Sequence, residues 1–337
     1  MEIIGSGRLE VRITPHDVGK RVSIRRLTDP SVGGEKFTDT IGVLTSWDKG
    51  VLLVTRRTGE SVHISESALV AGKVVPPAPA RRRGPAANFP ELARVTARAW
   101  QPVESERLGD WELRASGGFT RRANSALPLG DPGLPLDAAL AHVRTWYDKR
   151  GLPAYIQTAT GAAGTQEQLC ARLEAAGWHR EVSALVRIAA LAPIADLDAP
   201  VERVVLSRSV DEAWLHRYQR SGQYGDHLRQ VLASGPSVWF ASVAATGSAE
   251  AAEGAPAAIG RCVVDGRWAG FMAVETDPGQ RRQGLATAVM TALARRALDE
   301  GASAAWLQVE ADNEGARALY DRMGFATHHS YHHFRSV

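Results

Sequence analysis

A glycine-containing segment in the last third of the chain has the residue types of a phosphate-binding turn. Residues 278–287 read PGQRRQGLAT, after the apolar run 270–274 and before apolar residues at every fourth position. The run predicts a buried strand, and the spacing predicts a helix. A helix that begins near Gly284 exposes its first backbone N–H groups and the positive end of its dipole. The segment is therefore expected to bind a diphosphate through its main chain, which Gly284 allows the ligand to approach closely.

The residue pattern itself is loose, because it occurs twice in this sequence. The pattern consists of an Arg or Gln, any two residues, a Gly, any one residue and a Gly or Ala. It occurs at 81–86 and again at 281–286. The first copy lies in a Pro- and Ala-rich stretch without helical periodicity. Only the second copy stands between a predicted strand and a predicted helix. We therefore assign the phosphate-binding turn to residues 281–286 alone.

The elements that would position this turn alternate between strands and helices. In the last third of the chain the pattern predicts strands at 201–206, 238–243, 259–264 and 304–309, and a further strand that begins at 327. It predicts helices at 213–220, 227–232 and 316–323, and a further helix that begins at 284. The middle third repeats the order of strand, helix, strand, helix and strand, which indicates an internal duplication. Where the last third has the phosphate-binding turn, the middle third has residues 129–135, which include two prolines and no basic residue. We predict that this copy does not bind the same ligand.

The N-terminal region has a different pattern, typical of a small all-β domain. Short runs of alternating apolar and polar residues, separated by turn residues, predict strands at 9–13, 22–24, 41–44, 51–54 and 62–64. They favour an SH3-like barrel over residues 1–75, followed by a Pro-, Ala- and Arg-rich linker at 76–88. Basic residues exceed acidic ones in the first 83 residues. This excess is more typical of a solvated barrel face and linker than of a nucleic-acid surface.

Composition narrows the class of protein. The chain has 337 residues, 44% of them hydrophobic and 23% charged, as expected of a folded protein with more than one domain. It has no apolar run near the ~20 residues that a membrane helix needs, and its N-terminus does not resemble a secretory signal. The only cysteines are Cys170 and Cys262. Two cysteines favour a reducing cytoplasm, and Cys262 is interpreted as a buried strand residue rather than a nucleophile.

A histidine-rich segment near the C-terminus could suggest a metal site. It contains His328, His329, His332 and His333. On a strand, residues four apart are separated by ~13 Å, which is too far for a pair to bind one metal ion. No metal is therefore expected.

The last third of the chain resembles the Gcn5-related N-acetyltransferases, or GNAT proteins. The resemblance rests on the turn at 281–286, on Asn313 opening the next helix, and on the sequence LYDRMGF at 319–325. It implies an α/β (α+β) fold with a mixed, mostly antiparallel sheet, in tandem with a degenerate GNAT-like segment at 89–192 before the catalytic domain at 193–337. The whole layout is similar to actinobacterial GNAT proteins that carry an SH3-like N-terminal barrel.

The resemblance implies that acetyl-CoA donates an acetyl group to an amine. Main-chain groups of Val274 and Thr276 would pair with the pantetheine arm as an added strand would. Main-chain N–H groups after them would bind the pyrophosphate, helped by a guanidinium. Asn313 either caps its helix or contacts the pantetheine, and both roles are compatible. The residues expected at the acetyl-CoA site are Val274, Thr276, Arg281, Arg282, Gln283, Gly284, Leu285, Ala286, Thr287, Asn313, Ala316 and Tyr320.

The same resemblance assigns the proton transfers. Tyr320 is expected to act as the general acid toward the leaving thiolate, because reference pKa values of ~10 for Tyr and ~8.5 for a thiol differ little. Several relatives have a Glu five residues before the helix-opening Asn, but this chain has Gln308 there. Glu310, on the same face of the strand, is slightly favoured as the base over Glu275, and direct attack by a neutral amine is a third alternative.

The acceptor is an amine, and the sequence leaves open whether it is a small molecule or a protein amine. Tyr224, Asp226 and Gln308 are positional candidates for contacting it. The alternative function is a non-catalytic, CoA-responsive adaptor that binds protein or nucleic acid through the basic N-terminal barrel. The oligomeric state is also left open.

Overall fold

The computed structural model describes residues 10–28, 37–76, 84–218, 225–245 and 254–337. The chain divides into two compact units. One unit comprises residues 1–80, 158–179 and 337, and the other comprises residues 81–157 and 180–336. The domain boundaries expected from the sequence, at 75, 88 and 192, stay predictions.

The secondary-structure elements are numbered here in chain order. The strands of the described residues are β1 Arg21–Leu27, β2 Phe37–Asp48, β3 Val51–Thr55, β4 Ser61–Ser65, β5 Leu69–Val74, β6 Glu104–Leu108, β7 Trp111–Ala115, β8 Leu127–Pro128, β9 Tyr155–Thr160, β10 His179–Ala190, β11 Val204–Ser207, β12 Ser237–Val243, β13 Ala258–Asp265, β14 Trp268–Thr276, β15 Ala304–Glu310 and β16 Ala326–Arg335. The helices are α1 Phe89–Arg98, α2 Leu136–Asp148, α3 Glu167–Ala175, α4 Ala192–Ala195, α5 Glu212–Arg217, α6 Gly225–Ala233, α7 Leu285–Asp299 and α8 Glu314–Arg322.

The N-terminal unit contains a five-stranded antiparallel sheet in the order β4-β3-β2-β1-β5. Alternate residues of these strands point inward, as a half-buried sheet requires. The fully buried core residues of the sheet are Val22, Ile24, Leu44, Leu52, Val54 and Ile64. The all-β prediction for this region is therefore confirmed.

The strand predicted at 9–13 is wrong, and a strand at the end of the sheet was missed. Residue 9 lies outside the described residues, and the part after it forms only an isolated bridge from Val11 to Gly72 on β5. Ile13 packs against Gly72 so closely that a Cβ there would lie 2.8 Å from the Ile13 side chain. The sequence of β5, LVAGKV, alternates too weakly to indicate a strand.

The second large sheet has eight strands in the order β11-β12-β13-β14-β15-β10-β16-β9. Strands β14 and β15 are parallel, whereas β11 to β14 and the pair of β10 and β15 are antiparallel. The mixed, mostly antiparallel sheet expected of a GNAT fold is thus confirmed. A further sheet of the same unit has the order β6-β7-β8.

Helices cover both faces of the eight-stranded sheet, and alternate strand residues divide between two apolar clusters. On one face, Leu307 of β15 packs in a cluster with Leu285, Val289 and Leu293 of α7 and with Tyr320 of α8. On the opposite face, the neighbouring strand residue Trp306 belongs to a cluster formed with α1, α5 and α6. Burial on both faces explains why these strands read as nearly continuous apolar runs.

Strand β10 comes from the middle of the chain but lies inside the sheet of the last third. It pairs with β15 from Ala184 opposite Glu310 to Ala190 opposite Ala304, and β16 lies on its other side. The sheet is therefore continuous across residue 192, where the sequence pattern suggested a boundary.

Candidate functional site

The two parallel strands at the centre of the sheet part from each other. The parallel pairing of β14 and β15 begins at Trp268 opposite Ala304 and ends at Phe271 opposite Leu307. Both strands continue beyond that point, to Thr276 and Glu310. The main chain of the second half of β14 therefore has no β15 neighbour, which is the geometry that an added strand-like ligand requires.

A bulge in β14 causes the separation. Met272 pairs with Arg261 of β13 and Glu275 pairs with Ile259, so β14 has one residue more than β13 between these two pairs. Ala273 has a φ of 50°, a left-handed conformation that costs a non-glycine residue about 1–2 kcal/mol. Bulges bend a strand and are frequent beside functional sites. Val274 lies within this bulge and Thr276 beyond it, and both follow the last residue of β14 that pairs with β15.

The predicted phosphate-binding turn follows β14 directly. Arg281, Arg282, Gln283 and Gly284 are exposed, and α7 begins at Leu285. Arg282 and Gly284 have φ angles of 62° and 74°. A Cβ added to Gly284 would meet no atom within 4 Å, so the space over this residue is open.

The first turn of α7 has no side-chain cap. Gly284 occupies the N-cap position and has no side chain to accept from the helix. The N–H groups of the first turn, at Leu285, Ala286 and Thr287, have no acceptor within the helix. These donors, the positive end of the helix dipole and two nearby guanidinium groups suit a diphosphate.

A buried ion pair, missed by the sequence interpretation, anchors the start of the turn. Asp277 lies 3.4 Å from a guanidinium nitrogen of Arg217 on α5, and both side chains are under 10% exposed. Its other carboxylate oxygen accepts from the N–H of Gly279 at 2.7 Å, and its own N–H donates to Ala257. Nothing in the sequence pattern connected Asp277 to Arg217.

Helix α8 and its N-cap carry the three remaining residues expected at the acetyl-CoA site, Asn313, Ala316 and Tyr320. Asn313 caps α8, because its Oδ1 accepts from the N–H of Ala316 at 3.0 Å. Tyr320 is 8% exposed and packs edge-on against Phe325, with ring centroids 5.9 Å apart. Among the described residues, its hydroxyl has no hydrogen-bond partner. Burial raises the pKa of Tyr320 to about 12, and Arg187 opposes that rise.

Gln308 and Glu310 lie on the opposite face of the sheet from Tyr320. Along β15 they share a face with Trp306, whereas Leu307 belongs to the cluster that contains Tyr320. Gln308 accepts a hydrogen bond from Arg122, whose guanidinium lies 4.6 Å from the ring centroid of Trp100. Glu310 is exposed at the end of β15, and Glu275 is half-buried on β14.

Of the candidate acceptor residues, Asp226 and Gln308 fall within the described residues. Tyr224 lies outside the described residues, and Asp226 is exposed near the start of α6. Gln308 lies beside the point where β14 and β15 part.

The cysteines and histidines have the environment of buried structural groups. Burial raises the pKa of the Cys262 thiol to about 12, which agrees with its interpretation as a core residue. Burial also lowers the pKa of His329 and His332 to about 3, so both are neutral at pH 7. Within the described ranges, no cluster of three or more His, Cys, Asp or Glu side chains could hold a metal ion.

Comparison with solved structures identifies the fold. A GCN5-related N-acetyltransferase from Kribbella flavida matches with a TM-score of 0.53 and 16% identity, covering 73% of this chain and 95% of that chain. A tandem GNAT protein from the clavulanic acid biosynthesis pathway matches with the same TM-score and identity, covering 75% and 90%. Both comparisons show that this chain has the fold of these GNAT structures.

Comparison of sequences identifies the family. The family described as "Probable histone acetyltransferase Rv0428c C-terminal" matches residues 86–334, and the chain belongs to it as an enzyme of the GNAT acetyltransferase type. A relative, the probable histone acetyltransferase Rv0428c of Mycobacterium tuberculosis (strain ATCC 25618 / H37Rv), is 28% identical over 313 residues, which are 93% of each protein.

The comparison also corrects the assignment of the N-terminal domain. Residues 16–73 match the family described as "Rv0428c N-terminal Sm-like domain". The domain is thus Sm-like rather than SH3-like. The alternating apolar pattern that suggested a barrel is common to small antiparallel domains, so it does not distinguish between them. None of the described helices combines the length and the hydropathy that a membrane-spanning helix requires.

Proposed function

We propose that this protein transfers an acetyl group from acetyl-CoA to an amine by direct attack in a ternary complex. The observation that supports this most is the combination of parted strands and an uncapped helix. The second half of β14 has left β15, and the exposed turn before α7 follows it within a few residues. An extended amide-bearing chain that ends in a diphosphate fits these two features together.

The residues proposed to contact acetyl-CoA have separate binding roles. Main-chain groups of Val274 and Thr276 pair with the pantetheine amides. The N–H groups of residues 282–287 bind the pyrophosphate, and Arg281 or Arg282 adds a charged donor. Asn313 caps α8, as its bond to Ala316 shows, and the start of that helix borders the pantetheine.

Acetyl-CoA supplies the acyl carbon and the thiolate leaving group. Tyr320 donates its hydroxyl proton to the sulfur as the carbon–sulfur bond breaks. With a pKa of about 12, the phenol is ~3.5 units above a solvated thiol, a difference of ~5 kcal/mol. The apolar surroundings reduce this difference, because burial raises the pKa of a thiol too, as it does for Cys262.

The acceptor amine is expected to approach from the other face of the sheet. Gln308 and Glu310 lie on that face of β15, opposite the cluster that contains Tyr320. Glu310 is favoured over Glu275 to take the proton from the attacking nitrogen, directly or through water. The acid and the base would then act on opposite sides of the reacting carbon.

The nature of the acceptor is a separate question. The relative named above is a probable histone acetyltransferase, which makes a protein lysine one candidate beside small amines. Binding of acetyl-CoA measured by calorimetry tests the first part of the proposal, and release of thiol with a panel of amines and lysine peptides tests the second. Absence of acetyl-CoA binding would contradict the proposed function.

A further inference from the structure

A buried arginine from the middle of the chain contacts the helix that carries Tyr320. Arg187 lies on β10, opposite Leu307 of β15, and its side chain is 5% exposed. Side chains of directly paired residues in antiparallel strands point to the same face. Arg187 is therefore on the face where Leu307 packs in one cluster with Tyr320.

The guanidinium of Arg187 binds two acceptors on α8 and one just after it. One terminal nitrogen donates to the carbonyl of Arg317 at 3.1 Å, and the other donates to the carboxylate of Asp321 and the carbonyl of Phe325. These residues lie on both sides of Tyr320 in the sequence. Arg187 thus fixes the last turn of α8 to the sheet.

The Tyr320 side chain depends on that helix end for its position. Its hydroxyl has no hydrogen-bond partner among the described residues, so no polar contact orients the ring. Phe325 packs against the ring, and the N–H of Phe325 donates to the carbonyl of Tyr320 at 3.0 Å. Phe325 is itself one of the residues that Arg187 binds.

We propose that Arg187 is a positioning residue that holds the end of α8 so that the Tyr320 hydroxyl meets the departing thiolate. This inference rests on the proposed function and deepens it. The middle segment has no phosphate-binding turn of its own, yet it completes the active site of the last third through β10. Displacement of a reacting group by about 1 Å can lower a rate by about 100-fold.

A purely structural role for Arg187 is the competing interpretation. Loss of a buried arginine that donates to three acceptors destabilises a protein whether or not it positions a catalytic group, so melting temperature alone does not distinguish the two roles. The two roles differ in whether the effect of removing Arg187 on kcat depends on Tyr320. If Arg187 acts through Tyr320, the effect of removing it should disappear once the hydroxyl is absent.

The test is a double-mutant cycle on the full chain with Arg187→Met and Tyr320→Phe, using acetyl-CoA-dependent thiol release. We expect Arg187→Met to lower kcat about 30-fold while the KM for acetyl-CoA changes less than about threefold. In the Tyr320→Phe background, the same substitution should lower kcat less than about threefold. An equal 30-fold loss in both backgrounds would overturn the inference.

Two further variants control for folding. Arg114→Met removes another buried arginine of the same unit, one that binds Ser125 and Gln157 rather than α8, and it should retain kcat per folded molecule. If Arg187→Met does not fold, Arg187→Lys replaces it in the cycle. Lysine keeps the positive charge but lacks the branched guanidinium group that donates to three acceptors. The Arg187→Lys variant should show a smaller loss of kcat that also disappears without the Tyr320 hydroxyl.

The cycle also separates the two proposals. A wild-type protein without acetyl-CoA-dependent activity would overturn the proposed function and the inference together. An active wild type whose Tyr320→Phe variant keeps full kcat would overturn the role of Tyr320 and therefore that of Arg187. An active wild type with additive losses would overturn the inference alone.

Discussion

Replacement of Gly284 by alanine should separate acetyl-CoA binding from folding. Gly284 has a φ of 74°, which an alanine adopts at a cost of about 1–2 kcal/mol. The added Cβ would meet no protein atom within 4 Å, so the cost to folding should not exceed this strain. The methyl group would instead enter the space that the diphosphate is proposed to occupy.

The expected loss of affinity follows from the donors involved. Hydrogen bonds to a charged group contribute about 1.5–3 kcal/mol each. Loss of about one such bond at the first turn of α7 corresponds to about 2 kcal/mol, or about a 30-fold weaker Kd for acetyl-CoA. Calorimetry with acetyl-CoA measures this affinity, and thermal denaturation measures the accompanying loss of stability.

The far end of the same helix provides a matched control. Gly301 follows α7, has a φ of 89°, and has open space at its Cβ position. Gly301→Ala should therefore destabilise the protein as much as Gly284→Ala but leave the Kd unchanged. If both variants bind acetyl-CoA as tightly as the wild type, or both lose affinity equally, the assignment of the turn is refuted.

Three further outcomes are expected. Tyr320→Phe should lower kcat by about 100-fold with the Kd for acetyl-CoA unchanged, and unchanged kcat would contradict the role of Tyr320 as general acid. Asp277→Asn should leave the buried Arg217 without its carboxylate and destabilise the protein by about 3–5 kcal/mol, which thermal denaturation measures and an unchanged Tm would contradict. Burial lowers the pKa of His329 and His332 to about 3, so the unfolded chain takes up protons first as the pH falls below ~6.5. The free energy of unfolding in urea should therefore be about 1.4 kcal/mol lower per histidine at pH 5.5 than at pH 7.5, and equal values at the two pH values would contradict this.

The elements around the turn could be predicted because their patterns are local and strong. Leu285, Val289, Leu293 and Ala297 recur at every fourth position, and all four are buried on α7. The predicted strands at 238–243, 259–264 and 304–309 agree with β12, β13 and β15 to within one residue at each end. Periodicity specifies such elements because each one packs on a continuous core.

The features that make the site could not be predicted in the same way. The bulge at Ala273 depends on the register between β13 and β14, which a single strand sequence does not contain. The contact of Asp277 with Arg217, and that of Arg187 with Asp321, join residues far apart in sequence. Long-range polar contacts leave no periodic signal, so the sequence indicated the chemistry of the site but not the residues that support it.

The position of β10 has a consequence for synthesis of the protein. Ala184 pairs with Glu310, a separation of 126 residues (310 minus 184). At ~5–20 residues per second, β10 leaves the ribosome roughly 6–25 s before its partner strand. During that interval the backbone N–H and C=O groups along the edge of β10 lack their partner strand, so they are open to pairing with another nascent chain. We therefore expect the yield of native protein to depend on translation rate and on chaperones more strongly than the stability of the finished fold would suggest.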